Sequence, residues 1–419
     1  MKSHLIFLIS FFSIASLFFV HGQPIQRELQ LNVALFVPNG AELLDFAGPG
    51  EVFSNADFNT YIIGFTDEPF TSQGFMKVVP NYTYQNCPKP DIIVIPGGGG
   101  SQFYRNPEVI EWVKKQCQEA MLLTVCTGAI VAARGGMLDG LKVTTHYSGY
   151  ETLEQSCQNC EVLRDARFVD NDRIVTTAGI SAGIDGALHL VSRIKGKKAA
   201  EKVAYYMMYD KWEPQAGLVN KESTFVQNYR SNGLDVAKKS VASGHYPYPG
   251  ELSNLAWEHV AEKDFAKANA MMAYCLELYP FEYSMYEELS GIYQTQGKYV
   301  PIGEEALIDL ALQGQVDEVI RLHKEVQATY PKWLLFRESA MNWAGYALMN
   351  RQEIEKAIQI FELNASVYPD SFNVYDSLGE AYQKAGFKDK AIANYKKSLE
   401  LNPANENAKK FLEELGGNH

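Results

Sequence analysis

The chain has 419 residues, 46% hydrophobic and 21% charged, with a formal net charge of -12. That length exceeds what one hydrophobic core usually organises, so two or more domains are expected, and the composition excludes wholesale disorder. Residues 251–419 hold 26 acidic against 16 basic side chains; an acidic surface repels phosphate backbones and anionic lipid, which argues against a nucleic-acid partner.

At the N-terminus, Lys2 and His4 precede an apolar run from Leu5 to Val20, and the polar, small-residue stretch His21-Gly22-Gln23 follows. This is the layout of a secretory signal peptide over residues 1–22 and predicts an exported protein, periplasmic or secreted. The alternative is an uncleaved membrane anchor, although the run is shorter than the ~20 residues a spanning helix needs. Export places the six cysteines where disulfides can persist.

From Leu31 to about Arg193, short β-branched runs alternate with helical stretches, the pattern of a doubly wound α/β sheet. Strands are predicted at Leu31–Val37, Thr60–Phe65, Asp91–Ile95, Met121–Val125, Val143–Thr145 and Arg173–Thr177. Helices are predicted at Pro107–Glu119, Thr127–Arg134, Ala182–Lys195 and Lys198–Met208. Cys87 and Cys117 precede two of these strands, at the same edge of the sheet, and a bridge between them is expected. Cys157 and Cys160 form a Cys-x-x-Cys pair without the strand-to-helix context of a redox motif, leaving a structural bridge or two idle thiols. Two further ligands at zinc spacing are absent, so no metal is expected.

The chemistry concentrates where strands end. Cys126 follows the apolar strand Met121–Val125 and opens a helix of small residues, where exposed amides and the helix dipole favour thiolate; a thiol pKa well below ~8.5 is expected. Pro96-Gly97-Gly98-Gly99-Gly100 follows the strand Asp91–Ile95, and its amides can approach a reacting atom as an oxyanion hole requires. Asp45 follows the first strand. All three converge at the carboxyl edge of the sheet, where open α/β folds place their sites. His146, also after a strand, is a possible partner of Cys126 or a structural histidine out of its reach; His189 is expected in the core or an interface.

Trp212 to Gly250 loses the alternation and ends in Tyr246-Pro247-Tyr248-Pro249-Gly250, which predicts a connector over residues 214–250. Beyond it, over 251–416, no strand is expected and the sequence repeats. Gly345, Ala357, Phe361 and Pro369 recur at Gly379, Ala391, Tyr395 and Pro403, a constant offset of 34. That period is the tetratricopeptide one, a stack of helix pairs forming an all-α solenoid. Its groove is expected to bind a peptide or protein, unless the array only packs on the first domain or self-associates.

Asp-x-x-Gly-Pro-x-Glu-Val-Phe at 45–53, Pro-Gly-Gly at 96–98, Val-Cys-Thr-Gly-Ala at 125–129, Thr-Thr-His at 144–146 and Ile-Val-Thr-Thr-Ala-Gly-Ile-Ser-Ala-Gly-Ile-Asp at 174–185 resemble the ThiJ/PfpI superfamily, most closely its isonitrile hydratase-like branch. The resemblance spans roughly residues 30–210 and leaves the repeats unexplained. It implies a flavodoxin-like α/β sandwich over 30–213, related to class I glutamine amidotransferase domains. It also implies a homodimer through that domain, and no metal or organic cofactor. Residue by residue, it implies Cys126 as nucleophile, Asp45 as its acid partner, Thr127 as the neighbour lending amide and hydroxyl, and Gly97 and Gly98 as the oxyanion loop. The function implied is a cysteine-dependent enzyme, a lyase or hydrolase acting on a small-molecule electrophile, foremost as an isonitrile hydratase. Glyoxalase, deglycase or peptidase activity would need a working Cys126–His146 contact. A non-enzymatic redox sensor or scaffold is the alternative of another class, and transcriptional control is disfavoured by the acidic, helical C-terminal half.

Overall fold

The computed structural model describes residues 30–298 and 303–416, so the signal peptide expected over residues 1–22 lies outside the described residues. Strand-forming runs and their connecting helices build one eight-stranded sheet. Its order is Leu218–Lys221, Phe168–Asn171, Ile174–Thr177, Met121–Val125, Ile92–Ile95, Asn32–Phe36, Asn59–Gly64 and Tyr82–Thr83. Every adjacent pair is parallel except Phe168–Asn171 with Ile174–Thr177, which form an antiparallel hairpin. Within Asn32–Phe36, Val33 and Leu35 pack into one hydrophobic core while Ala34 and Phe36 pack into a second. Both faces are therefore covered, and the central strands read as unbroken apolar runs rather than alternating ones.

The predicted helix Ala182–Lys195 has those bounds, and the predicted strands fall within a residue or two of the observed ones. The run predicted at Val143–Thr145 is instead the two-residue strand Lys142–Val143, paired with Glu161–Val162 outside the main sheet. The connector expected over 214–250 is not a linker. Leu218–Lys221 forms the edge strand beside Phe168–Asn171, and helices Thr224–Asn232 and Leu234–Ala242 bury Phe225, Val226, Ala237 and Val241 in the core of the helical half. Glycine and proline content hid these elements because their helices are only two turns long.

Cys157 and Cys160 are joined as a disulfide, with Cα atoms 6.0 Å apart. The bridge expected between Cys87 and Cys117 is absent; both are free thiols. The Cys87 sulfur donates to the Tyr84 carbonyl at 3.8 Å, and Cys117 caps the helix Pro107–Gln116. Their side chains pack against the same hydrophobic layer, and burial pushes the Cys117 thiol up to about 12.

From Pro249 onward the described residues form only helices. The repeat partners predicted from sequence interlock: a side chain at Gly345 would strike the Phe361 ring, and one at Gly379 the Tyr395 ring. Among the described residues no helix is long and apolar enough to cross a membrane.

The two halves are joined by a buried charge cluster. Arg193, near the end of helix Ala182–Lys195, donates through Nη1 to both Asp170 oxygens at 3.1 Å and through Nη2 to Asp172 Oδ1 at 3.0 Å and Glu251 Oε1 at 2.9 Å. Glu251 lies in the first turn of helix Pro249–Ala261, and its Oε2 accepts from Ser223 Oγ and the Tyr248 amide, both at 3.1 Å. His189 completes the cluster at 2.6 Å from Asp170 Oδ2, an interface place consistent with its expected role. Removing the Arg193 guanidinium takes from the buried Asp170 and Glu251 carboxylates the cation they share. Arg193→Met is therefore expected to destabilise the protein by about 3–5 kcal/mol; a thermal melt within 1 °C or so of wild type, on the scale where ~1 kcal/mol moves a domain by several degrees, would contradict the clamp.

Candidate active site

The strand Met121–Val125 is wholly buried, and the chain must turn sharply at its end to enter the next helix. Cys126 makes that turn with φ 56°, in the left-handed region, a conformation costing a non-glycine residue ~1–3 kcal/mol and held only where the surroundings impose it. The surroundings are two glycines without side chains to spare. A Cβ on Gly179 would lie 2.4 Å from Cys126 Cβ, and one on Gly97 would lie 2.8 Å from Cys126 Sγ and 2.8 Å from Asp45 Oδ2. Thr145 Oγ1 donates to the Cys126 carbonyl at 2.6 Å and fixes the turn from a third side.

Asp45 sits in the first turn of helix Leu43–Asn55, fully buried. Its Oδ2 accepts from the Gly97 amide at 2.9 Å, and its carboxyl hydrogen-bonds the Cys126 thiol. Burial, opposed by the Gly97 and Cys126 hydrogen bonds, pushes the Asp45 carboxyl up to about 7. Burial and then the Asp45 charge push the Cys126 thiol up to about 12. This corrects the expectation of a lowered thiol pKa. The segment after Cys126 is a three-residue 3-10 turn followed by the six-residue helix Ala129–Arg134, shorter than the predicted Thr127–Arg134, and so brief a helix has little dipole to set against burial. Two buried acids in contact cannot both ionise near neutrality, so above pH ~7 the pair holds one proton between them.

Thr127 lies where its backbone amide and its hydroxyl both reach the Cys126 sulfur. The oxyanion loop divides unequally. The Gly97 amide is occupied by Asp45, and the Gly99 amide donates to the Gly40 carbonyl at 3.0 Å. The Gly98 amide has no hydrogen-bond partner among the described residues, so Gly98, rather than Gly97, keeps a donor free. His146 stands apart: its Nδ1 lies 2.8 Å from Ser148 Oγ and accepts from the Ser148 amide at 3.4 Å, and its ring rests on Tyr147. Its hydrogen bonds go to Ser148 rather than Cys126. Among the described residues no group of three His, Cys, Asp or Glu side chains converges to hold a metal ion.

Sequence reasoning missed Tyr104, at the end of the short helix Gly100–Tyr104, whose hydroxyl donates to the Gly98 carbonyl and lies 2.6 Å from Thr127 Oγ1. Nothing in one sequence distinguishes it from other tyrosines. It also passed over Arg167, which pairs with the buried Asp185 and donates to Ser181 Oγ at 3.2 Å. Arg167 and Ser181 line a cavity of about 340 Å³ with Tyr209, Lys211 and Glu213.

Because the folded protein raises Asp45 from 3.8 to about 7, it binds that proton more tightly than the unfolded chain does. The associated stabilisation is complete below pH ~3.8 and lost as pH rises through about 7. Asp45→Asn is expected to melt higher than wild type at pH 8, with the difference shrinking toward pH 4; equal melting temperatures at pH 8 would remove the burial argument. Gly97→Ala is expected to displace both reacting side chains and cut cysteine alkylation by about tenfold or more, in line with the ~10²-fold cost of small misplacements in active sites.

With the geometry in place, comparison with known proteins is informative. The DJ-1/PfpI family model matches residues 31–193, and a tetratricopeptide repeat model matches residues 372–405. An isonitrile hydratase of Pseudomonas putida is 30% identical over 184 residues, spanning 43% of this chain and 78% of that protein. A glutathione-independent glyoxalase DJ-1 of Schizosaccharomyces pombe is 23% identical over 181 residues, spanning 40% of this chain and 93% of that protein. A solved ThiJ/PfpI family protein from Pseudomonas syringae is 24% identical with a TM-score of 0.41, covering 51% of this chain and 90% of its own. The chain, through its α/β half, belongs to the DJ-1/PfpI family.

Proposed function

We propose that the α/β domain is a cysteine-dependent hydratase of the isonitrile hydratase type, acting on a small electrophile in an exported protein whose repeat array engages a peptide or protein. The observation that carries this reading is the contact between the Cys126 thiol and the buried Asp45 carboxyl. The similarity to the P. putida isonitrile hydratase over the same residues supports it. Self-association through the α/β domain is part of the proposal, supported by the apolar Leu44, Tyr147 and Ile180 exposed on it.

The chemistry follows from one shared proton. With the proton on Asp45, the Cys126 thiolate attacks the terminal carbon of R–N≡C, and Asp45 delivers its proton to that carbon, giving a thioimidate R–N=CH–S–Cys. The Asp45 carboxylate then takes a proton from water. Hydroxide adds to the same carbon, the nitrogen takes the proton from Asp45, and as the C–S bond breaks the adduct's hydroxyl proton passes back to Asp45. N-substituted formamide leaves, and the Cys126–Asp45 pair regains its single proton. The amides of Gly98 and Thr127 are the donors for the charge that develops during addition. Glyoxalase, deglycase or peptidase chemistry through His146 has less support, because its hydrogen bonds go to Ser148.

Incubation of the purified protein with a panel of isonitriles and dicarbonyls, beside Cys126→Ala and Asp45→Asn, tests the reading. Formamide production is expected from wild type, with a loss of about 100-fold or more in each variant. Consumption of dicarbonyls alone would replace the hydratase by a glyoxalase. No turnover, with Cys126 converting to sulfenic acid under peroxide, would favour a sensor. Export is tested separately by N-terminal sequencing of the mature protein, expected to begin near Gln23.

A further inference from the structure

The Tyr104 hydroxyl stands between two groups of the site, donating to the Gly98 carbonyl and lying 2.6 Å from Thr127 Oγ1. Thr127 Oγ1 in turn reaches the Cys126 sulfur. Tyrosine and threonine each have one hydroxyl proton, whereas a carbonyl only accepts. The chain of groups therefore has two self-consistent arrangements. In the first, Tyr104 donates to Gly98, Thr127 donates to Tyr104, and no hydroxyl points at the sulfur, as suits a protonated thiol. In the second, Tyr104 donates to Thr127, and Thr127 donates to the sulfur, as suits a thiolate.

We propose that Tyr104 is a positioning residue that switches the Thr127 hydroxyl between these arrangements, so that a hydrogen bond reaches the Cys126 sulfur when it becomes charged. No bond is made or broken beyond the transfer of the thiol proton to Asp45; the two hydroxyls only rotate. Charge on sulfur favours the second arrangement, because a hydrogen bond to an ion is roughly twice as strong as one between neutral groups. The release of the Gly98 carbonyl opposes it, and a half-buried carbonyl without a donor is costly. The two effects hold the resting site in the first arrangement and make the second conditional on ionisation. Neither would arise if Tyr104 were phenylalanine: Thr127 would then have no competing acceptor, and ionisation would no longer cost the Gly98 carbonyl its donor. The argument rests on Cys126 being the nucleophile, but not on the identity of its substrate.

The test reads the thiol directly. Iodoacetamide alkylation of the Cys126 peptide is followed by mass spectrometry against pH in wild type, Tyr104→Phe, Thr127→Val and the double variant, with circular dichroism as the check on folding. Thr127→Val is expected to raise the midpoint of the profile by about one pH unit, a tenfold loss of thiolate below it, and Tyr104→Phe to lower it by a similar amount, since ionisation there no longer breaks the bond to Gly98. The double variant is expected to add nothing to Thr127→Val, since Tyr104 acts only through Thr127. An unchanged midpoint in either single variant, or additive shifts in the double variant, overturns the relay. Should Tyr104→Phe fail to fold, 3-fluorotyrosine at position 104, a stronger donor on the same ring, is expected to raise the midpoint by holding the Gly98 bond more tightly, and no movement there overturns it equally. Failure of the hydratase reading would appear only in the substrate panel and leave these profiles as they are.

Discussion

The left-handed turn at Cys126 is the constraint on which the site depends. A residue with a side chain is placed in a conformation it does not prefer, and the strain is sustained because everything around it is already fixed. The strand before it is buried on both faces, and the Thr145 hydroxyl anchors its carbonyl. The backbones at Gly97 and Gly179 press against it at distances no Cβ would permit. The turn lifts the sulfur off the end of the sheet and aims it at Asp45. A relaxed turn would leave the same residues present and the contact between them absent.

Burial then determines what the pair can do. Water would stabilise both a carboxylate and a thiolate and keep them independent; with water excluded, burial raises the hold of both on a proton, and the Asp45 charge raises that of the thiol further. The result is a site that binds one proton near neutrality and can place it on either partner, which is the property an acid–nucleophile pair needs. The same burial is a liability for folding at alkaline pH, the usual relation between active sites and stability.

One helix ties the site to the repeats. Ala182–Lys195 begins just after the Gly179–Ser181 loop that packs on Cys126, and about 17 Å further on its Arg193 forms the charge cluster with Glu251 of the first helix of the C-terminal half. Lys198, just beyond it, lies over the Trp257 ring and donates its amide to Glu288 at 3.2 Å. The first repeat helix is thus seated by the end of helix Ala182–Lys195 remote from Cys126.

The sequence alone determined what periodicity and local chemistry encode. Apolar runs long enough for strands buried on both faces marked the sheet, a 34-residue offset marked the repeats, and the strand-to-helix junction marked Cys126, because each is a property of neighbouring residues. The 45–53 and 125–129 motifs likewise placed Asp45 and Thr127 beside it. Only tertiary structure decided the rest, because it depends on groups far apart in the chain. Whether the Cys126 pKa rises or falls is set by burial and by a carboxylate 81 residues away. That the Gly97 amide serves Asp45 and leaves Gly98 free follows from a hydrogen bond across 52 residues. The residues read as a connector became an edge strand and a helix pair because the sheet and the repeats offered them surfaces to cover. Tyr104 reaches Thr127 through a fold contact that local pattern does not record, and Cys87 and Cys117 stay apart for the same reason: side-chain direction is settled by packing, not by position along a strand.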